Sequence, residues 1–456
     1  MPPPDAGSGP LLPILGAILN EFGQRADLAL PDTNLASTDD TIKVLGTNGR
    51  HCQTCHPNDA EWTATPAQLQ ARFEKGKPHA FGLCPLPTNE SASTNDQLEA
   101  VFRTLDGANS PLADVSTPAA RRSAYSMLLS RAVFRIGLAV PADADFELVA
   151  VDDPYGFASA KELSLFRRIL PMANLRFNTT VMWDGREDVQ CATLRTSLHQ
   201  QARNAVTGHA QGPIPAERDV ALITHSELGL YTTQFSDFEA GRLTEGGARG
   251  GPRFLAKVPF YWGINAFGKV DPQGQPYNRE IFSLYEAWRN LPGESDRDKA
   301  RVQIAEGEQV FNSKTFTVRG VSGFNDELGR PQIRATCGSC HNTPNVGTNS
   351  ESRLMDIGVS DAARRTADLP LYTFRKKGSK AIKRTSDPGQ ALITKKWAHM
   401  NRFKVPSLRA LAGRPPYMHD GSAPSLAAAV DYHDQRFGIH FSAKEKADLI
   451  AFLSAL

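Results

Sequence analysis

Two pentapeptides constrain this chain more than anything else in it: Cys52-Gln-Thr-Cys55-His56 and Cys337-Gly-Ser-Cys340-His341. Each has the form C-x-x-C-H, the attachment signature of c-type haem. The chemistry explains the spacing. Two thiols add across the two vinyl groups of one haem, and the adjacent His becomes the proximal iron ligand. A zinc knuckle would need a second ligand pair, and a thioredoxin-like redox pair would need a βαβ pattern around it. The sequence offers neither. The expected cofactors are therefore two covalently bound haem c groups.

At 456 residues the chain is long enough for two or three domains with ordinary cores. A net charge of +2 gives no nucleic-acid footprint. The 36 Gly and 31 Pro predict long irregular connections around compact helices. Four of the six Cys are taken by haem, and Cys84 and Cys191 remain, either as a disulfide or as two buried thiols. Covalent haem attachment in bacteria takes place outside the cytoplasm, so a periplasmic protein is expected, with its leader removed. The apolar run Leu11–Leu19 is short, lacks a basic n-region and contains Pro13, and reads as an amphipathic or packing segment. No stretch is long enough to span a bilayer.

Along the chain, residues 1–45 read as an extension opening on Pro2-Pro3-Pro4. A first haem domain is expected over 46–295 and a second over 296–456, with the charged stretch Gly293–Lys299 as the boundary. Helices are predicted at 66–75, 118–136, 194–208, 282–290 and 298–311, and a short strand at 144–152. Ser442-Ala-Lys-Glu445 is a capping box that opens a terminal amphipathic helix carrying Leu449, Ile450, Phe452, Leu453 and Leu456. The fold class predicted is mainly α: two cytochrome c-like haem domains with long irregular connections and few short strands.

The chain resembles the bacterial diheme cytochrome c peroxidase/MauG superfamily. Three features carry the resemblance. The two C-x-x-C-H motifs stand about 280 residues apart, one per expected domain. Met182-Trp183-Asp184-Gly185-Arg186 is similar to the family's F-W-D-G-R. Phe403-Lys-Val-Pro-Ser-Leu-Arg409, followed by Pro416-Tyr417-Met418-His419-Asp420-Gly421, is similar to its F-x-x-P-x-L-R and P-Y-x-H-D-G segments. The long spacing and Thr343-Pro-Asn-Val-Gly347 resemble an extended branch that borders on diheme rubber oxygenases.

The resemblance implies an N-terminal haem for peroxide chemistry and a C-terminal haem for electron relay. The proximal ligands are then His56 and His341. In the family the distal ligand of the second haem lies fourteen residues after the His of H-D-G, and counting from His419 reaches His433. A His there would give bis-imidazole ligation and a lower potential than His/Met. Met400, Met418 and Tyr432 are rivals, and a plain surface role for His433 is the alternative. At the first haem the family's Gln and Glu, the latter in N-P-x-E-M, are displaced. The chain runs about four residues longer after Gly185, and that motif is absent. Matching Gln201-Ala202 to the family's Gln-Ala leaves His209 near the acid's place. A distal imidazole can take a proton from one peroxide oxygen and return it to the other. His209 is thus the expected acid–base catalyst, with Gln201 beside it and Glu217 and Glu227 as alternatives. His79 is a candidate displaceable ligand or a loop residue. Trp183 would pass oxidising equivalents between haems, and Arg186 would neutralise haem propionates. A Ca²⁺ between the domains is seen in the family, and no acidic loop here announces it.

The leading function is reduction of H₂O₂ to water with electrons from a small periplasmic donor, a cytochrome c or cupredoxin. Oxidation of a protein side chain or an apolar polymer is the second reading, and a plain diheme electron carrier the third. A homodimer is compatible with all three.

Overall fold

The computed structural model describes residues 14–29, 43–75, 99–102 and 105–456. Over these the chain is mixed α/β, about 31% helical with four small antiparallel sheets, so the mainly-α expectation is corrected. The segment expected as an extension supplies a hairpin, Ile14–Asn20 and Gly23–Ala29, whose second strand pairs with Leu230–Asp237. A second sheet joins Phe146–Asp152 to Leu371–Lys376 and Ile382–Thr385, drawing strands from both sides of position 295.

Two predicted helices fail for visible reasons. The one at 118–136 becomes Pro118–Ala124 and Ser126–Arg131. Ala132 takes a left-handed conformation with φ 48°, and the segment beyond it, with Val133, Phe134 and Ile136, forms the strand Val133–Leu138 against Leu163–Arg168. The one at 282–290 shrinks to a single turn, Glu286–Trp288. Its backbone donors are claimed by side chains instead. Asn312 Oδ1 accepts from Ile281 and Phe282 at 3.0 and 3.2 Å, and the buried Glu308 carboxylate accepts from Leu284 and Tyr285.

Asn312 and Glu308 belong to the helix Asp296–Ser313, which frames the second haem motif. Ser295 caps it, accepting from the Asp298 amide, and Asp296 and Asp298 favour the positive N-terminus. The terminal helix Ala443–Ser454 opens on the Ser442/Glu445 capping box, as its sequence predicts. Phe452 packs against Phe282 and Phe311 at 5.2 and 5.9 Å between ring centres, and Phe311 lies 6.4 Å from the His341 ring. The helices meet at Gly307, where an added Cβ would stand 1.9 Å from the Asp448 carbonyl oxygen. Backbone cannot yield as a side chain can. Gly307→Ala should therefore cost about 1–3 kcal/mol, read as a lower thermal midpoint of the haem-loaded protein. An unchanged midpoint would mean the two helices are not in contact there.

Candidate functional site

Each C-x-x-C-H motif opens into a largely apolar cavity. At the first, His51 begins the short helix Cys52–Cys55 with reciprocal capping by Thr54, which sets both thiols and His56 on one wall. At the second, Thr336 and Ser339 cap the turn Cys337–Ser339 in the same way. The proximal rings are held alike. His56 Nδ1–H donates to the Trp62 carbonyl at 3.2 Å, and His341 Nδ1–H to the Gly347 carbonyl at 2.6 Å. Each leaves Nε2 for a metal, the arrangement that fixes ligand orientation in histidine-ligated sites. Burial pushes both imidazoles down to about 4, so they are neutral ligands at pH 7.

Burial also pushes the Cys52, Cys337 and Cys340 thiols up to about 12, and raises Cys55. Among the described residues no group of three or more His, Cys, Asp or Glu is assembled for a metal ion. Two thiols, one neutral imidazole and apolar walls fit a covalently held haem in each cavity. Cys191 is an exposed free thiol, while Cys84 and His79 lie outside the described residues.

In the second cavity His341 faces the helix Leu426–Phe437, from which Leu426, Ala429, Val430, His433 and Phe437 line the wall. His433 Nδ1–H donates to the Ala429 carbonyl at 2.8 Å, so its Nε2 stays free. His433 is near enough to His341 that a charge on it disfavours a charge there. Met418 also lines this cavity. Met400 does not. It is 1% exposed and packs with Phe146, Tyr372, Phe374 and Leu392 in a core behind the strands, so its candidacy as a ligand is corrected. Tyr432 faces the other way along the helix, and its hydroxyl donates to the Ile357 carbonyl at 2.6 Å.

In the first cavity the helix Leu194–Thr207 presents Leu198, Gln201, Ala202 and Ala205 on one face, spaced three and four apart. The helix Glu217–Gly229 adds Ile223 and Glu227. His209 reaches the same cavity just past the first helix, but its side chain is 46% exposed and its Nδ1 lies 3.1 Å from Asp106 Oδ2. Glu227 is the opposite case. It is 7% exposed, its Oε2 has no hydrogen-bond partner among the described residues, and burial alone pushes its carboxyl up to about 8. Glu217 does not line the cavity. It is 68% exposed and pairs with His199 at 2.7 Å and with Arg203, so the structure corrects its candidacy as well.

Trp183 is 8% exposed and lines both cavities, its Nε1–H donating to the Arg168 carbonyl at 2.8 Å. Asp184, fully buried, pairs with Arg167 and at 3.2 Å with Arg186. Arg186 reaches the first cavity from that pair. His419 stacks on Phe403 at 3.9 Å and meets Trp183 edge-on at 6.4 Å. Glu227 ranked low on sequence. Its one signal is Ser226-Glu227-Leu228-Gly229, which keeps an acid before a large apolar residue as N-P-x-E-M does.

No protein-family model matches the chain. The cytochrome-c peroxidase IdrP1 of Pseudomonas sp. (strain SCT) is 32% identical over 162 residues, 31% of this chain and 40% of that protein. IdrP2 of Denitromonas iodatirespirans is 25% identical over 325 residues, 67% of this chain and 74% of its own. The methylamine utilization protein MauG of Methylorubrum extorquens is 25% identical over 308 residues, 64% of each. The chain thus spans less than half the length of the first of these relatives. A crystal structure of a MauG-like protein associated with microbial copper homeostasis covers 66% of the chain at 17% identity, with a TM-score of 0.33. With two such cavities, and with relatives among both the cytochrome-c peroxidases and MauG, the comparisons support the chain's resemblance to the bacterial diheme cytochrome c peroxidase/MauG superfamily.

Proposed function

We propose that the protein is a periplasmic diheme c-type peroxidase that converts H₂O₂, two electrons and two protons into two waters. The observation that carries this reading is the asymmetry of the cavities. The second holds a helix-anchored imidazole, His433, with a free nitrogen, as an electron-relay site needs. The first holds a buried carboxyl, Glu227, with a free oxygen, as proton transfer to peroxide needs.

A bound haem c supplies a redox iron and, where its sixth position is open, a place for peroxide. The protein supplies the protons. As carboxylate, Glu227 takes the proton of one peroxide oxygen and returns it to the departing oxygen, so the leaving group is water rather than hydroxide. Gln201, on the facing helix, orients peroxide through its amide. Asp106 holds His209 at the exposed side, where it passes protons from solvent. Trp183 carries the oxidising equivalent between cavities, and Arg168 fixes its indole. The electron donor is a small periplasmic cytochrome c or cupredoxin. Among the described residues no helix is long and apolar enough to cross a membrane.

The test is EPR of the diferric protein before and after one equivalent of H₂O₂. A high-spin and a low-spin signal, both lost on addition, are expected. Two low-spin signals unmoved by peroxide in the diferric and the half-reduced protein would make it a carrier. Trp183→Phe should keep both signals before addition, while peroxide then oxidises the first haem alone. Loss of both signals in this variant, as fast as in the parent, would remove Trp183 from the route.

A further inference from the structure

The wall shared by the two cavities carries an unmatched charge. Arg168, Lys404 and Arg414 line both cavities, and their relative exposures are 6%, 9% and 9%. Among the described residues none of the three forms an ion pair. Their partners are neutral carbonyls. Arg168 donates to Ala64 at 2.6 Å and to Ala132 and Arg414 at 3.2 Å, Lys404 to Thr180 at 2.9 Å, and Arg414 to Ser407, Arg409 and, at 3.1 Å, Ala410. The neighbouring charges on this wall are already balanced, since Arg167 and Arg186 are matched by Asp184 and Asp387. The nearest carboxylates lie beyond ion-pair distance: Asp188 pulls weakly on Lys404, and Glu61, which pulls on Arg414, is already paired with Arg25, so the three buried cations lack an ion-paired anion, a costly arrangement unless countered. Burial accordingly pushes Lys404 down to about 8, against the weaker pull of Asp188. Arg168 falls to about 9, with Arg414 adding to the effect of burial.

We infer that Arg168, Lys404 and Arg414 form one cationic cradle for the propionate carboxylates of both haems, so that a single cluster sets the potentials of the two irons together. This rests on the diheme reading. Propionates are the anionic groups of a haem, and a planar guanidinium or a compact ammonium is the natural partner for them. Because the same three residues line both cavities, removing one cation acts on both haems. Losing positive charge beside a propionate favours the more positive ferric iron, so both potentials fall.

The test is Lys404→Gln, with haem content by pyridine haemochrome and both midpoint potentials by spectroelectrochemical titration. Two haems are expected, each with a reduction equilibrium constant lower by about tenfold, about 59 mV for one electron. Lys404→Arg should return both potentials towards the parent values. Should Lys404→Gln fail to accumulate, Arg414→Gln is read in the same way. Two haems with neither potential moved, or with one alone moved, would overturn the shared cradle and leave the diheme reading intact. Fewer than two haems in the parent protein would overturn the diheme reading itself.

Discussion

Glu227→Gln should lower H₂O₂ turnover by roughly 10²–10⁴-fold while both haems stay attached. The carboxyl is buried in the wall of the first cavity with one oxygen unpartnered, and Gln keeps its shape but cannot carry a proton. If the carboxylate is the working form, kcat/KM for peroxide rises with pH towards about 8, and Glu227→Gln loses that limb. Stability moves the opposite way. Burial raises the group from an ordinary value of 4.5 to about 8, so between those pH values the folded protein holds a proton that the unfolded chain releases. Stability then falls as pH rises through this window, by an amount on the order of a few kcal/mol, and no further above it. Gln has no proton to lose. The variant should match its parent in thermal midpoint at pH 5 and exceed it at pH 8, a gain that damage to the fold would not produce. His209→Ala should cost less, because that ring is half exposed and held by Asp106. A larger loss in His209→Ala than in Glu227→Gln would return the acid–base role to His209.

What the sequence made legible depends on how local the chemistry is. Haem attachment needs two thiols and an imidazole within five residues, so both candidate centres could be read without a fold. The Ser442 capping box is equally local, and its helix begins where the pattern puts it. His433 was reached by counting along one helix and one loop, and the count lands in the second cavity. Glu227 needed more. Its place depends on how the helix Glu217–Gly229 turns against Leu194–Thr207, which no local pattern in the sequence gives away. Met400 shows the converse: it is close to the Phe403 motif in sequence, yet its chain bends away into another core. The strand expected at 144–152 is present as Phe146–Asp152, whereas Val133–Leu138 was missed because it continues the apolar spacing of the helix before it, and only the left-handed turn at Ala132 separates them. The cationic wall was invisible for a different reason. Arg168 lies far in sequence from Lys404 and Arg414, and their lack of ion pairs is a property of the packed molecule.

His433→Met should raise the potential of the second haem by on the order of 0.2 V, within the span of about 0.8 V that axial ligands command. The geometry makes His433 a ready ligand. It sits mid-helix, Ser425 caps that helix, and the bond from its Nδ1 to the Ala429 carbonyl directs the other nitrogen outward. Burial holds the ring neutral, the form that binds iron. A thioether stabilises ferrous iron better than an imidazole does, so a Met at the same helical position gives an upward shift. His433→Ala should instead open the sixth position and add a second high-spin EPR signal. The two variants separate ligation from packing, because a merely structural His433 would alter stability in both and the iron in neither. If the EPR spectrum and potential of the second haem are unchanged in His433→Met and His433→Ala alike, the ligand lies elsewhere on the cavity wall. Met418 is then the next group to remove, and a fall in potential in Met418→Leu would identify the centre as His/Met. The outcome matters for function, because a bis-imidazole relay sits at a lower potential and hands its electron more readily to an oxidised catalytic haem, while demanding a more strongly reducing donor.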